Sequence, residues 1–172
     1  MKSKNLIIRV LAIIFAGLMV LPLCLVWLTQ KTYLAGRVTE NQIKLDDITE
    51  NVVNMSEKGN MINAAKIIFY IVFALAMLLV VLEVLRFFVK RNKVIDGITK
   101  LVGLVMIVLG ILTFVFSLVW CNANTNTTII LDAKNGVSYS PWFGGIGTLV
   151  FALLGGICAL IEKPAKASKK RR

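Results

Sequence analysis

The chain has 172 residues, of which 58% are hydrophobic and 17% are charged, and its formal net charge is +11 at pH 7. Soluble domains are typically only about 45 to 50% apolar, so this composition, with a mean hydropathy of +0.80, excludes an ordinary soluble domain and predicts a membrane protein. The absence of histidine excludes a Ser-His-Asp triad, a Cys-His nucleophile and histidine-based metal sites, although carboxylate chemistry remains open. We expect a non-enzymatic protein with no catalytic residue, no metal site and no cofactor, because the remaining candidate groups form no catalytic cluster.

Four apolar runs are each long enough to cross a membrane. A bilayer core about 30 Å thick requires about 20 apolar residues in a helix, and a lone strand cannot satisfy its backbone in lipid. The predicted fold class is an all-α membrane protein, a four-transmembrane-helix bundle with a small extracytoplasmic cap made of a short amphipathic helix and a β-hairpin. The predicted spans are residues 6–28, 67–89, 101–120 and 142–161, joined by an outer loop 29–63, an inner loop 90–100 and an outer loop 121–141, with a basic cytoplasmic tail 162–172, all in a single polytopic domain.

The first apolar run follows the basic segment MKSKNLIIR, a combination that is also found in signal peptides. The run has about 20 residues, whereas the apolar region of a signal peptide has about 7 to 15, and no A-x-A cleavage site follows it. We therefore interpret residues 6–28 as a retained helix. Pro22 within it predicts a kink, because proline removes a backbone donor.

The distribution of Lys and Arg predicts the orientation of the chain. These residues concentrate in the N-terminal segment, the inner loop and the tail, whereas the outer loops are close to neutral. Because cytoplasmic segments are enriched in Lys and Arg, we predict that both termini are cytoplasmic and that this face contacts anionic lipid headgroups. The basic runs lack interleaved aromatic residues, so no nucleic acid is expected as a partner.

The predicted location is the plasma membrane, and a bacterial inner membrane is preferred because the loops are compact and the first helix is retained. The eukaryotic endoplasmic reticulum remains an alternative. It is suggested by glycosylation sequons at Asn54 and Asn126 and by the terminal sequence KKRR, which resembles a retention signal. An Asn-rich loop and a basic cytoplasmic tail also contain such sequences without either function.

The first outer loop contains a segment with helical periodicity, VTENQIKLDDITENVVNMSEKGN. Leu45, Ile48, Val52 and Met55 recur at spacings of three and four, with charged residues between them. This pattern predicts an amphipathic helix of about four turns. We expect the helix to lie on the membrane surface or on the ends of the bundle, and the alternative is a partner-binding helix.

The second outer loop reads TTIILDAKNGVSYS after a polar run. Asn135-Gly136 is a strong hairpin signal, because both turn positions require positive φ. We predict a two-stranded hairpin from about Thr127 to Ser140. A lone hairpin is only marginally stable in water, so it should rest on the helix of the first loop or on another protein.

Four spans with a longer first and a shorter second outer loop give the chain a layout that resembles the claudin-like tetraspans. The W-GLW-C-C signature of that family is absent, and the first outer loop has no cysteine. The resemblance is therefore one of layout and implies neither a function nor a site residue for this chain.

The third and fourth spans each carry a stripe of small residues. In lipid, helices associate through close packing of such residues, so the stripes predict close contacts, either within the bundle or with another subunit or copy of the chain. Glycines that line a pore or a lipid groove are the alternative. The predicted packing positions are Gly103, Gly110, Thr113 and Ser117 in the third span and Gly144, Thr148, Ala152 and Gly156 in the fourth.

A single acid, Glu83, lies in the apolar stretch VVLEVLRFF of the second span. It is about 24 Å along a hydrocarbon core of about 30 Å, near the inner edge. Arg86 follows one turn later on the same face, and Arg9 has a similar depth in the first span. We predict an intramembrane charge pair of Glu83 with Arg86 and Arg9, and a proton or cation site is the alternative.

These observations favour a non-enzymatic membrane subunit, or an accessory or scaffold protein of a membrane complex. It would pack on a partner through the small-residue stripes and present its extracytoplasmic cap for contacts. The alternative is a small channel or transporter with Glu83 near a cytoplasmic gate. The hypothesis of a membrane enzyme has the least support, because the sequence places no cluster of catalytic groups at one depth on one side of the membrane.

Overall fold

The structure is a computed structural model that describes residues 2–34, 36–49, 53, 56–88, 93–130 and 133–162. Helices and strands follow one another as α1 (Lys2–Gly17), a 3-10 turn (Leu18–Val20), α2 (Leu21–Cys24), β1 (Val26–Leu34), β2 (Arg37–Lys44), α3 (Gly59–Phe88), α4 (Lys93–Asn124), β3 (Asn126–Ile130), β4 (Ala133–Pro141) and α5 (Phe143–Ile161).

Four helical segments of the described residues are long and apolar enough to cross a membrane. Their existence was predicted from the sequence and is confirmed. They are Asn5–Cys24, which combines α1, the 3-10 turn and α2, together with Gly59–Phe88, Lys93–Asn124 and Phe143–Ile161.

The helices extend differently from the predicted spans. Three segments that were predicted as loop are helical, namely residues 59–63, 93–100 and 121–124. The length of an apolar run indicates only the part of a helix that can lie in lipid, so it misses polar turns at the helix ends. Conversely, Val26–Leu28 was predicted as helix and begins β1. An apolar run does not distinguish a helix from a strand at its end, and Leu25 already has extended backbone angles.

The helices pack as a closed ring in the order α1, α3, α4, α5, each mainly against its two neighbours. On α3 the buried side chains recur every three or four residues, as a helix with one packed face requires. Phe69, Val72, Ala76 and Leu79 are all fully buried. The outward faces remain apolar, with Leu101 61% exposed, which suits a surface that contacts lipid.

The strands form one antiparallel sheet in the order β2-β1-β4-β3. β1 comes from the first loop and β4 from the second, and they pair with Leu28 opposite Pro141 and Tyr33 opposite Gly136. The two loops therefore build a single four-stranded cap. The fold is mostly helical but not all-α, because this sheet replaces the predicted combination of helix and hairpin.

The predicted amphipathic helix is wrong over Val38–Lys44, which form most of the edge strand β2. Both faces of this strand are polar, so it lacks the alternation that marks a half-buried strand, and its pairing with β1 decides its structure. Leu45 and Ile48 are nevertheless buried, beyond the end of the strand. Val52 and Met55 lie outside the described residues.

The predicted hairpin of the second loop is confirmed as a strand pair, but its turn is elsewhere. Ile130 lies opposite Ala133, so Asn135 and Gly136 do not form the turn. Asn135 and Gly136 lie within β4, and Gly136 is opposite Thr127. Gly136 still has a positive φ of 117°, but it lies within the paired part of the strand and not in the turn.

Candidate functional site

Five charged side chains contact one another at one end of the helix bundle. They lie beside α1, the end of α3, the start of α4 and the end of α5. We call this group the ion-pair cluster. Its members are Arg9 of α1, Glu83 and Arg86 of α3, Asp96 of α4 and Glu162 directly after α5.

Arg86 is the centre of the ion-pair cluster. Its Nη1 donates to Glu83 Oε1 at 2.9 Å and also to Glu162 Oε2. Its Nη2 lies 2.7 Å from Asp96 Oδ1. One guanidinium therefore faces three carboxylates from three different helical segments.

Arg9 connects α1 to the same group. Its Nε donates to Glu162 Oε1 at 2.5 Å, and its Nη1 donates to the backbone carbonyl of Arg86 at 3.2 Å. That carbonyl belongs to the last turn of α3, where helix carbonyls have no partner within the helix. Arg9 thus supplies both an ion pair and a cap for the end of a neighbouring helix.

The acids differ in how fully they are buried and paired. Glu83 is 0% exposed and Glu162 is 1% exposed, whereas the side chain of Asp96 is 20% exposed. Both oxygens of Glu162 are occupied by arginines. Glu83 Oε2 and Arg86 Nε are buried and have no hydrogen-bond partner among the described residues.

The sequence predicted Glu83, Arg86 and Arg9 as a charge pair that joins the first two spans. The structure brings them into one group, in which Arg9 connects through Glu162 and the Arg86 carbonyl. Sequence reasoning missed Glu162 and Asp96 as members. The signal was available, because both acids flank apolar spans on the side predicted to be inner.

The two small-residue stripes face each other across the contact between α4 and α5. A Cβ added to Gly110 would lie 2.6 Å from Ala152 Cβ, and one added to Gly103 would lie 2.9 Å from the Gly156 carbonyl oxygen. Gly156 is equally close, since its added Cβ would lie 2.5 Å from the Gly103 carbonyl oxygen. This small-residue interface is internal to the chain.

The hydroxyl residues of the stripes are fully buried and bond within their own helices. Thr113 donates to the Leu109 carbonyl at 2.9 Å, Ser117 to the Thr113 carbonyl at 2.9 Å, and Thr148 to the Gly144 carbonyl at 2.7 Å. Back-bonding of this kind satisfies a polar group inside an apolar helix. The hydroxyl protons are therefore engaged in helix contacts.

Trp27 fixes the sheet to the helix ends. Its Nε1 donates to the Pro22 carbonyl at 2.6 Å, and its ring meets Phe69 edge-on at 4.9 Å. The indole also occupies the space that a Cβ at Gly144 would need. Gly144, predicted as a helix-packing position, thus accommodates the first strand.

Trp120 makes the corresponding attachment for the second loop. Its ring lies 5.0 Å from Tyr139, and its Nε1 donates to Ser56 Oγ at 2.9 Å. Thr125 Oγ1 accepts the Tyr139 backbone N–H at 3.0 Å. Burial raises the pKa of the Tyr139 phenol, as expected for a ring enclosed between strand and helix.

Two further sequence features concern modification and metal binding. Of the two sequons, Asn126 is exposed at the start of β3, while Asn54 lies outside the described residues. Within the described part of the chain, no group of three or more His, Cys, Asp or Glu side chains is arranged to hold a metal ion.

Four candidate membrane-spanning helices with a small antiparallel sheet at one end indicate a multi-pass membrane protein. No protein-family model matches the chain, and no curated protein matches it.

Proposed function

We propose that this chain is a non-enzymatic subunit or accessory protein of a membrane complex and that it binds a protein partner through its sheet. The small-residue stripes are the features that suit a partner within the lipid, but they contact each other. We therefore assign partner binding to the four-stranded sheet instead of the small-residue stripes.

The observation that carries this proposal is the exposed edge strand β2. Seven of its eight residues are exposed, from Arg37 to Gln42 and at Lys44. Among the described strands it pairs with β1 alone. The free edge of a strand offers N–H and C=O groups to an added strand, a common mode of peptide recognition. We expect the partner to contribute an extended segment along β2.

The orientation and the lipid contacts form part of the same proposal. Both termini face the cytoplasm, the sheet lies on the opposite side, and the basic segments contact anionic headgroups. The position of Arg9 and Arg86 in the ion-pair cluster supports this placement, because both lie at the end of the bundle away from the sheet. A bacterial inner membrane remains the preferred location.

A pull-down of the full chain in mild detergent, with identification of the co-purifying proteins, tests the proposal. Val38, 57% exposed on β2, is changed to Asp to disturb a strand added beside it. We expect Val38→Asp to lose the partner while the chain remains folded. Gly110→Ala, inside the small-residue interface, is the comparison and should retain the partner in its folded fraction. If Val38→Asp retained the partner and folded Gly110→Ala lost it, the partner would bind the helices and the proposal would be wrong.

The second candidate is a small channel or transporter with Glu83 near a cytoplasmic gate. The observation in its favour is the buried Glu83 Oε2, which has no partner among the described residues. Flux through proteoliposomes that contain the purified chain tests it. A flux that Glu83→Gln abolishes supports the role of Glu83, and a flux that is insensitive to this change contradicts it.

A further inference from the structure

Among the described residues, the ion-pair cluster contains more acids than bases. Three carboxylates, those of Glu83, Asp96 and Glu162, face two guanidiniums, those of Arg9 and Arg86. With every group ionised, the cluster would carry a formal charge of −1. A net charge on groups that are largely buried is unfavourable, and proteins commonly remove it by protonating a group.

The contacts identify which acid is least well held as an anion. Glu162 has an arginine on each oxygen, and Asp96 combines an arginine contact with partial exposure to solvent. Glu83 has neither advantage. It is fully buried, it shares Arg86 with the other two acids, and its Oε2 meets no donor among the described residues.

We propose that Glu83 is a proton-binding site, with a proton on Oε2 in the folded chain. Oε1 then accepts the hydrogen bond from Arg86 as a carbonyl oxygen, and the cluster is electrically neutral. A neutral hydroxyl without a partner costs far less than an ionised oxygen without one. Binding of the proton converts the carboxylate into a carboxylic acid and requires no other reactant.

Within the described residues, each neighbouring helical segment contributes a charged group to the cluster that contains Glu83. Arg86 lies on its own helix, Arg9 on α1 and Asp96 on α4, and Glu162 follows α5. The helix α5 also carries the buried thiol of Cys158. Because the cluster holds four helical segments together, loss of the proton would place an uncompensated charge at their common contact. This inference is independent of the proposed partner.

Infrared spectroscopy of the purified full chain tests the proposal directly. A protonated carboxyl has a C=O stretch that a carboxylate lacks. At neutral pH the wild-type spectrum should contain this band, the band should disappear at alkaline pH, and Glu83→Gln should lack it. An absence of the band in the wild type overturns the proposal, and this measurement does not require that any variant folds.

Thermal unfolding of two matched variants gives a second test. Glutamine resembles a protonated glutamic acid, so Glu83→Gln should leave the melting temperature at neutral pH close to that of the wild type. Glu162→Gln removes a carboxylate that is held on both oxygens and should lower the melting temperature clearly. Equal losses in the two variants would show that Glu83 is ionised and held by a cation, which contradicts the proposal.

Discussion

Arg86 and Glu162 form a buried ion pair between residues that are 76 positions apart in the chain. This pair connects the end of α3 to the end of α5, while the other contacts of Arg86 and Glu162 reach α4 and α1. Within the part of the chain that the structure describes, the pair therefore lies where charged side chains join all four membrane-length helical segments.

Removal of Arg86 should destabilise the chain severely. Loss of one partner from a buried ion pair costs about 3 to 5 kcal/mol, because the remaining charge is left without compensation. We expect Arg86→Gln to lower the melting temperature in detergent strongly. Lys93→Gln is the matched control, since Lys93 is exposed at the start of α4. Similar melting temperatures for the two variants would contradict the central position of Arg86.

The small-residue interface should not tolerate a single added methyl group. Gly110→Ala places a Cβ against Ala152, and overpacking of this kind typically costs about 1 to 3 kcal/mol. Gly97→Ala on the same helix meets nothing within 4 Å and should instead stabilise the chain by up to about 1 kcal/mol through helix propensity. Thermal unfolding of both variants measures the difference in sign.

The same interface predicts a compensating pair. Ala152→Gly should restore part of the stability lost in Gly110→Ala, because it removes the atom that the new methyl group approaches. If the double variant is no more stable than Gly110→Ala, the two residues are not in contact within the chain.

Gly136 should be more sensitive to substitution than Gly36. Both have positive φ, so alanine is strained at either position, but only at Gly136 would a Cβ meet the backbone of Asn126 and Thr127. We expect Gly136→Ala to expose the sheet to limited proteolysis at a lower protease concentration than Gly36→Ala does. Equal protease sensitivity would contradict the close strand approach.

Cysteine cross-linking should show that the two loops form one sheet. Lys31 and Ser138 are opposite each other on β1 and β4, whereas Ile129 lies on β3, one strand further away. In a background without the native cysteines, a short thiol-reactive linker should join Lys31→Cys to Ser138→Cys efficiently and Lys31→Cys to Ile129→Cys poorly. A preference for the second pair would contradict the strand order.

The membrane-length helices could be predicted from the sequence because a helix that crosses lipid must be long and apolar. The length of each apolar run shows directly whether it meets this requirement. The strand β2 could not be predicted in the same way. Its residues Arg37–Lys44 are polar on both faces, so its structure depends on hydrogen bonds to β1. The spacing of Leu45 and Ile48 indicated a helix, but both are buried beyond the end of that strand.

The candidate site was predictable only in part. An arginine three positions after Glu83 on one helix face is a local feature, and it indicated the ion pair. Asp96 and Glu162 contact Arg86 because the end of α3, the start of α4 and the end of α5 lie side by side, which a linear pattern does not reveal. In the same way, two small-residue stripes predict close packing without specifying whether the other surface belongs to the same chain.

Site-specific photo-cross-linking in cells tests whether the partner binds at the exposed edge of the sheet. A photoreactive residue is introduced at Val38 on the exposed edge of the sheet, or at Leu104, which is 50% exposed on α4. We expect a discrete protein adduct from Val38 and none of comparable yield from Leu104. A protein adduct from Leu104, with none from Val38, would show that the partner binds the helices and would contradict the proposed role of the sheet.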